Sequence, residues 1–306
     1  MNREKQEPVV YVNGEFVPKS QAKISVFDQG LIFGDGVYDT LAAANGYVFK
    51  LDQHLDRLFR SVKAVKIDLQ KSKSAVKELV VETIRRNNLR DAYVKIIITR
   101  GVGPKPLLGR GDVTTPSLVI FAVPPVSVVA EETLERGAKL LSTTIRRTHP
   151  ESLDPRVKSL NYLPNVLMRR EAIERGADES ICFGFDGYVA EGGGENIWIK
   201  REETLMTPDH GILEGITRET VFEIAQELGY KAVAANLGKY DLYQAEEIFL
   251  CSTAGGIIPV TEVDGRTVGG GKPGQTTMKI RKRYVEMLQR GIHGTPIFSK
   301  RREESR

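Results

Sequence analysis

A lysine in Arg156-Val157-Lys158-Ser159-Leu160-Asn161-Tyr162 and a glutamate 33 residues on, in Ala190-Glu191-Gly192-Gly193-Gly194-Glu195-Asn196, are the residues whose types could do chemistry together. A lysine amine can hold an aldehyde as a Schiff base, and a carboxylate against a pyridine nitrogen keeps that ring protonated and makes it an electron sink. The pair therefore suggests pyridoxal phosphate chemistry. Taken singly, each residue is weak evidence. A lysine among 44 Lys and Arg is ordinarily a solvated charge, and a glutamate beside three glycines is ordinarily a turn residue. Context strengthens both: Lys158 precedes an apolar helix start at 160–163, and Glu191 closes a strand before glycines that let a flat group approach the backbone.

A phosphate needs ligands of its own. Gly215-Ile216-Thr217 opens a helix whose free N–H groups and positive dipole end could supply them, although an ordinary helix capped by Thr217 accounts for the same residues. Ser252-Thr253-Ala254-Gly255-Gly256 could add hydroxyl and amide donors, and Arg57 in His54-Leu55-Asp56-Arg57-Leu58 could add charge. An exposed helix arginine is the alternative for Arg57. Other motifs fail on spacing. The stretch 265–272 has Arg266 where a phosphate loop needs glycine and Pro273 after Lys272, and glycines 192–194 lack the dinucleotide spacing. The four histidines, His54, His149, His210 and His293, are scattered, so no metal site is expected.

The elements that must position these residues follow from hydrophobic periodicity. Strands at 9–12 and 15–17 flank the turn Asn13-Gly14, and strands at 37–43 and 47–50 flank Asn45-Gly46. Leu51, Leu55, Leu58 and Val62 make a helix stripe; a helix at 72–88 precedes central strands at 93–99 and 117–123. Pro124-Pro125 begins a candidate linker, 124–135, between a small domain at 1–123 and a larger one at 136–306. In the second half, Leu160, Leu163, Val166 and Leu167 start a helix that runs to Gly176. Strands follow at 180–185, 188–190 and 196–200. A helix starting at Thr217 has its core face at Val221, Ile224, Ala225 and Leu228, and a strand at 248–252 and a helix at 276–289 complete the pattern.

Composition bounds the class without naming it. The 306 residues, 41% hydrophobic and 27% charged, read as an ordinary globular chain of two domains. A net charge of +4 from intermixed charges is no nucleic-acid footprint. Cys182 and Cys251, both in apolar stretches, fit buried thiols in a reducing compartment. No signal-like or membrane-length apolar run is present, so a cytoplasmic address is the expectation.

Several motifs recur, in this order, in class IV (fold type IV) pyridoxal phosphate aminotransferases, which this chain resembles from about residue 10 to 286. They are Phe33-Gly34-Asp35-Gly36-Val37-Tyr38, His54-Leu55-Asp56-Arg57-Leu58, Lys158-Ser159-Leu160-Asn161-Tyr162-Leu163, Glu191-Gly192-Gly193-Gly194-Glu195-Asn196, Gly215-Ile216-Thr217-Arg218 and Ser252-Thr253-Ala254. The resemblance implies an α/β (α+β) fold with a small α/β domain, a larger pseudo-barrel domain and the site between them, and a homodimer or higher homo-oligomer. It implies pyridoxal 5'-phosphate as cofactor, Lys158 as Schiff-base lysine and proton shuttle, Glu191 against the pyridine nitrogen, and Tyr162 facing the cofactor oxygen. Arg57, Ile216, Thr217 and Thr253 would hold the phosphate, with Asn196 in the cofactor-binding set. An amino donor and a 2-oxo acid acceptor such as 2-oxoglutarate would be the partners, with no nucleic acid or membrane.

Substrate choice falls to strand faces. Tyr38, Thr40 and Ala42 share one face, as do Tyr93, Lys95 and Ile97, and these faces should line a pocket with Phe33 and Ala254. Branched-chain enzymes of the family usually carry glycine and arginine where Thr40 and Ala42 stand and arginine where Lys95 stands; D-amino acid enzymes usually carry a basic residue at the Ala42 position. Tyr38-Asp39-Thr40 and Cys251-Ser252-Thr253-Ala254-Gly255-Gly256 resemble instead (R)-amine transaminases, whose donors need no carboxylate. Arg110 could swing in to bind an acceptor carboxylate, or be a solvated loop charge, and Lys95 could equally be a structural ion pair. The expectation is a branched-chain-type enzyme of relaxed specificity that also takes (R)-amines. D-amino acid transamination, an aminodeoxychorismate-type lyase and a non-catalytic pyridoxal-binding protein are the alternatives.

Overall fold

The computed structural model describes residues 7–105, 107–108 and 115–298. The chain divides into two compact units, Met1–Val126 with Val157–Asn161 and Met287–Arg306, and Ser127–Arg156 with Tyr162–Glu286.

The first unit is an antiparallel sheet backed by helices. Its strands are β1 (Val9–Val12), β2 (Glu15–Pro18), β3 (Gly36–Ala44), β4 (Tyr47–Phe49), β5 (Ala92–Val102) and β6 (Thr115–Val123), with the strand Gly294–Pro296 added at one edge. Across the sheet the order is Gly294–Pro296, β4, β3, β5, β6, β1, β2. Its helices are α1 (Gln29–Phe33), α2 (Leu51–Ala64) and α3 (Lys73–Arg86). Asn13-Gly14 and Asn45-Gly46 adopt the positive φ values, 50°, 113°, 50° and 86°, that tight hairpins require. Alternation then sorts the faces. Val37, Leu41 and Ala43 of β3 and Val94, Ile96 and Ile98 of β5 form the core with Leu51, Leu55, Leu58 and Val62 of α2. The opposite face carries Tyr38, Thr40 and Ala42, paired in register with Ile97, Lys95 and Tyr93.

The second unit holds α4 (Glu131–Arg136), β7 (Ala138–Ser142), α5 (Leu163–Glu174), β8 (Glu179–Phe183), β9 (Val189–Gly192), β10 (Asn196–Arg201), β11 (Thr204–Pro208), α6 (Ile216–Glu227), β12 (Lys231–Ala235), α7 (Lys239–Gln244), β13 (Glu247–Ser252), β14 (Gly256–Val263) and β15 (Arg266–Thr267), with most of α8 (Gln275–Gln289). Its strands run in the order β12-β11-β10-β13-β14-β7-β8-β9, and β15 pairs with β14. The sheet is mixed, since β11/β12, β14/β7 and β7/β8 are parallel, and it curls so that β9 meets β10. Ile197, Ile199, Leu250, Ile258 and Val260 lie in its core. This is the α/β fold expected, with a curled larger sheet.

Several expectations change. The two expected stretches were contiguous, whereas these units are discontinuous. Leu160 donates its N–H to the Gly36 carbonyl at 2.9 Å and Tyr38 to that of Lys158 at 2.9 Å, which ties 157–161 to β3. The presumed linker carries α4, whose Thr133 is buried. On α5 the stripe Leu163, Val166 and Leu167 is exposed, and the buried positions are Asn165, Met168 and Ala172. Gly215, not Thr217, is the N-cap of α6, and Leu228 lies beyond its end, partly exposed. No described helix is long and apolar enough to cross a membrane.

Candidate active site

In the first unit the chemistry gathers on β3, β5 and α2. Lys158 is buried, and its Nζ stands 4.6 Å from the centre of the Tyr38 ring; Lys95 Nζ stands 4.6 Å from the same ring. Two lysine side chains therefore share one aromatic ring, at cation–π distance. The Lys158 backbone is held as a strand-like neighbour of β3, and its N–H donates to Ser61 Oγ at 3.1 Å. Thr40, Ala42, Tyr93 and Lys95 are half-buried on the sheet face that carries Tyr38, and half-buried Phe33 ends α1. Arg110 lies outside the described residues.

Arg57 is no exposed helix arginine. It is 4% exposed and forks onto Asp39, with Nε to Oδ2 at 2.9 Å and Nη2 to Oδ1 at 2.7 Å. Burial pushes the Asp39 carboxyl up, but Arg57 and His54 outweigh it and hold the group well below the usual carboxylate range. His54 Nδ1 faces Asp39 Oδ1 at 2.8 Å. Asp39 was missed from sequence, although it was visible as a charged residue on the β3 face of Val37, Leu41 and Ala43.

In the second unit Glu191, 4% exposed at the end of β9, is clamped. Arg147 Nη2 lies 2.8 Å from Oε1, and the Leu213 N–H donates to Oε2 at 2.9 Å. The guanidinium and the amide fix both carboxylate oxygens in place. Arg147 was missed because nothing local in Arg146-Arg147-Thr148 marks one arginine over the other. The glycines after Glu191 make room for further acids. A Cβ on Gly193 would fall 2.8 Å from Glu179 Oε1, and one on Gly192 would fall 3.2 Å from Glu195 Oε2. Burial, then the nearby Glu179, pushes the Glu195 carboxyl up to about 8. The Cys182 thiol donates to the Glu191 carbonyl at 3.2 Å, and burial pushes that thiol up to about 11.

The amino end of α6 fits a phosphate. No side chain caps it, buried Ile216 and Thr217 open it, and Asn196 Nδ2 donates to the Leu213 carbonyl beside it at 3.0 Å. Gly215 has no room for a side chain, because a Cβ there would fall 2.0 Å from Asn196 Oδ1. Tyr284 hydrogen bonds Thr217, and half-buried Thr253 and Ala254 form the turn between β13 and β14. Tyr162 is the half-buried residue that opens α5. An uncapped helix end and a clamped carboxylate in the second unit, and a buried lysine in the first, are the residue types a phosphorylated pyridine aldehyde calls for, so the residues present fit that group.

Together the antiparallel and curled mixed sheets are the fold type IV arrangement of pyridoxal phosphate-dependent enzymes. Residues 36–263 match the sequence model of amino-transferase class IV, and the chain belongs to that family of aminotransferases, which move an amino group from a donor to a 2-oxo acid. It is 40% identical to a provisionally named branched-chain-amino-acid aminotransferase of Methanocaldococcus jannaschii, over 91% of this chain and 96% of that one. It is 33% identical to the D-alanine aminotransferase of Bacillus licheniformis, over 89% and 94%. The solved holo-form, with pyridoxal phosphate, of the branched-chain amino acid aminotransferase from Thermobaculum terrenum matches with a TM-score of 0.87 at 27% identity, covering 97% of this chain and 100% of that one.

Proposed function

We propose that the protein transfers the amino group of a small hydrophobic amino acid of the branched-chain type to a 2-oxo acid such as 2-oxoglutarate, with relaxed specificity that extends to (R)-primary amines. The observation that carries the reading is the Glu191 clamp by Arg147 and the Leu213 N–H, because a buried carboxylate fixed in place is what a protonated pyridine ring needs beside it. When bound, pyridoxal phosphate supplies the aldehyde that captures the donor amine and the ring that withdraws electrons from its carbon. Lys158 would hold the aldehyde, and its amine, once free, would carry the proton between the donor carbon and the cofactor. Glu191 keeps the ring nitrogen protonated, and Tyr162 orients the ring oxygen. The Ile216 and Thr217 amides and Thr253 would hold the phosphate, with Asn196 bracing the turn before α6, and Arg57 would add its charge.

Phe33, Tyr38, Thr40, Ala42, Tyr93 and Ala254 form the substrate lining. Lys95, above the Tyr38 ring, meets the acceptor carboxylate as a point charge, a looser grip than a guanidinium fork, and this supports relaxed specificity. Exposed Leu163, Val166, Leu167 and Ile173 along α5 support assembly of at least a homodimer, since apolar faces of that kind ordinarily find a partner. The cytoplasm suits two buried free thiols. L-leucine, D-alanine and (R)-1-phenylethylamine, added separately to protein loaded with pyridoxal phosphate, test the assignment through the loss of the bound cofactor's visible absorption. L-leucine should act fastest; a faster response to D-alanine would replace the branched-chain reading with D-amino acid transamination. Pyruvate released from aminodeoxychorismate without an acceptor would replace it with the lyase.

A further inference from the structure

We propose that Asp39 is a positioning residue for the Arg57 guanidinium, itself fixed by His54, so that Arg57 meets the cofactor phosphate in a single orientation; this rests on the phosphate role proposed above for Arg57. Asp39 is fully buried on the β3 face that otherwise carries Val37, Leu41 and Ala43. A core built for stability alone would place an apolar side chain there, because a buried ion pair is often no more stable than well-packed hydrocarbon. What the carboxylate provides is direction. It takes Nε and Nη2 of Arg57 on separate oxygens, and this fork fixes the plane of the guanidinium.

The carboxylate is fixed in turn. Its Oδ1 accepts from the Thr40 N–H at 2.7 Å and faces His54 Nδ1 at 2.8 Å. Burial, followed by the charges of Arg57 and Lys158, disfavours protonation of His54 more than Asp39 favours it, so the ring is neutral. An ionised Asp39 can only accept, so the ring proton sits on Nδ1, and the 3.4 Å approach of Arg57 Nη2 to that nitrogen is packing rather than a hydrogen bond. His54, Arg57 and Ser61 lie at helical spacing on α2, and Ser61 holds the Lys158 backbone. One buried polar row thereby orients the phosphate guanidinium and seats the reactive lysine.

Two effects of Asp39→Asn oppose each other, which makes the test sharp. Losing the negative charge leaves Arg57 more attractive to a phosphate, while losing the fork leaves it misdirected. Full-length wild type, Asp39→Asn, Arg57→Lys, the double variant and His54→Gln are stripped of cofactor and titrated with pyridoxal phosphate and, separately, with pyridoxal. Binding is followed by cofactor absorption and by fluorescence of Trp198, the single tryptophan. Asp39→Asn should weaken pyridoxal phosphate on the order of tenfold to a hundredfold, the loss of a charge-assisted hydrogen bond, and leave pyridoxal unchanged. In the Arg57→Lys background the same change should do nothing more. Unchanged or tighter pyridoxal phosphate binding, or an equal loss for pyridoxal, would overturn the proposal. His54→Gln decides by the same comparison if Asp39→Asn does not fold. Wild-type affinity in Arg57→Lys would instead remove the phosphate role of Arg57, and failure of the wild type to bind the cofactor would remove the function itself.

Discussion

Replacing Arg147 by methionine takes the cation from a carboxylate that has little other company. Arg147 Nη2 lies 2.8 Å from Glu191 Oε1, both side chains are at least nine-tenths buried, and the Leu213 N–H donates to the other carboxylate oxygen at 2.9 Å. Unit charges about 4 Å apart interact by about 4 kcal/mol at an effective dielectric near 20, and breaking a buried pair by removing one partner costs roughly 3–5 kcal/mol. Arg147→Met should therefore lower the unfolding free energy by about that amount. Glu191→Gln/Arg147→Met should recover a large part of it, because no buried charge is then left alone. Urea denaturation of the four apo proteins measures this. A single-turnover half-reaction with L-leucine at saturating cofactor measures the chemistry, where Arg147→Met and Glu191→Gln should each be slowed on the order of a hundredfold. A loss below about 1 kcal/mol for Arg147→Met, or strict additivity in the double variant, would refute the reasoning.

Three further outcomes follow from the same geometry. Gly215→Ala puts a methyl 2.0 Å from Asn196 Oδ1 at the start of α6, so it should weaken pyridoxal phosphate binding severalfold and cost about 1–3 kcal/mol; wild-type affinity by titration would contradict this. Glu195 has its folded-state pKa raised from 4.5 to about 8. The stabilisation it gives is thus fully present below about 4.5 and lost as pH rises through about 8. The wild-type urea midpoint should fall from about pH 5 to about pH 9 more steeply than that of Glu195→Gln; parallel profiles would refute the assignment. Lys95→Met should raise KM for 2-oxoglutarate about tenfold or more while leaving the half-reaction with (R)-1-phenylethylamine, which has no carboxylate, near wild type; equal loss with both would make Lys95 a structural charge.

What could be read from sequence was whatever is local or periodic. The Asn-Gly hairpins, the α2 stripe and the alternation that pairs Thr40 with Lys95 depend on neighbours within a few residues. The strands β11, β12 and β14 escaped notice for different reasons: Lys231-Ala-Val-Ala-Ala carries little strand propensity of its own and is held by pairing with β11, while Pro208 and Pro259 interrupt the apolar and β-branched runs of β11 and β14. Segment 157–161 joins β3 across more than a hundred residues, a pairing no local pattern encodes. On α5 the apolar residues that mark the helix in sequence do not mark its core: Leu163, Val166 and Leu167 are exposed, and Asn165 is buried with its Nδ2 on the Gly193 carbonyl at 2.8 Å. Lys158, Glu191 and the α6 end stood out because their residue types match a chemistry; Arg147 pairs with Glu191 and Asp39 with Arg57, and only folding brings each pair close.

The account turns on which amine takes the cofactor, and two stand 4.6 Å from the Tyr38 ring. Borohydride reduction of the purified protein loaded with pyridoxal phosphate, followed by peptide mass spectrometry, reads that directly by turning the carbon–nitrogen bond into a stable adduct. The adduct should sit on Lys158 and on no other lysine, and Lys158→Ala should show neither adduct nor turnover. An adduct on Lys95, or wild-type turnover by Lys158→Ala, would contradict the account.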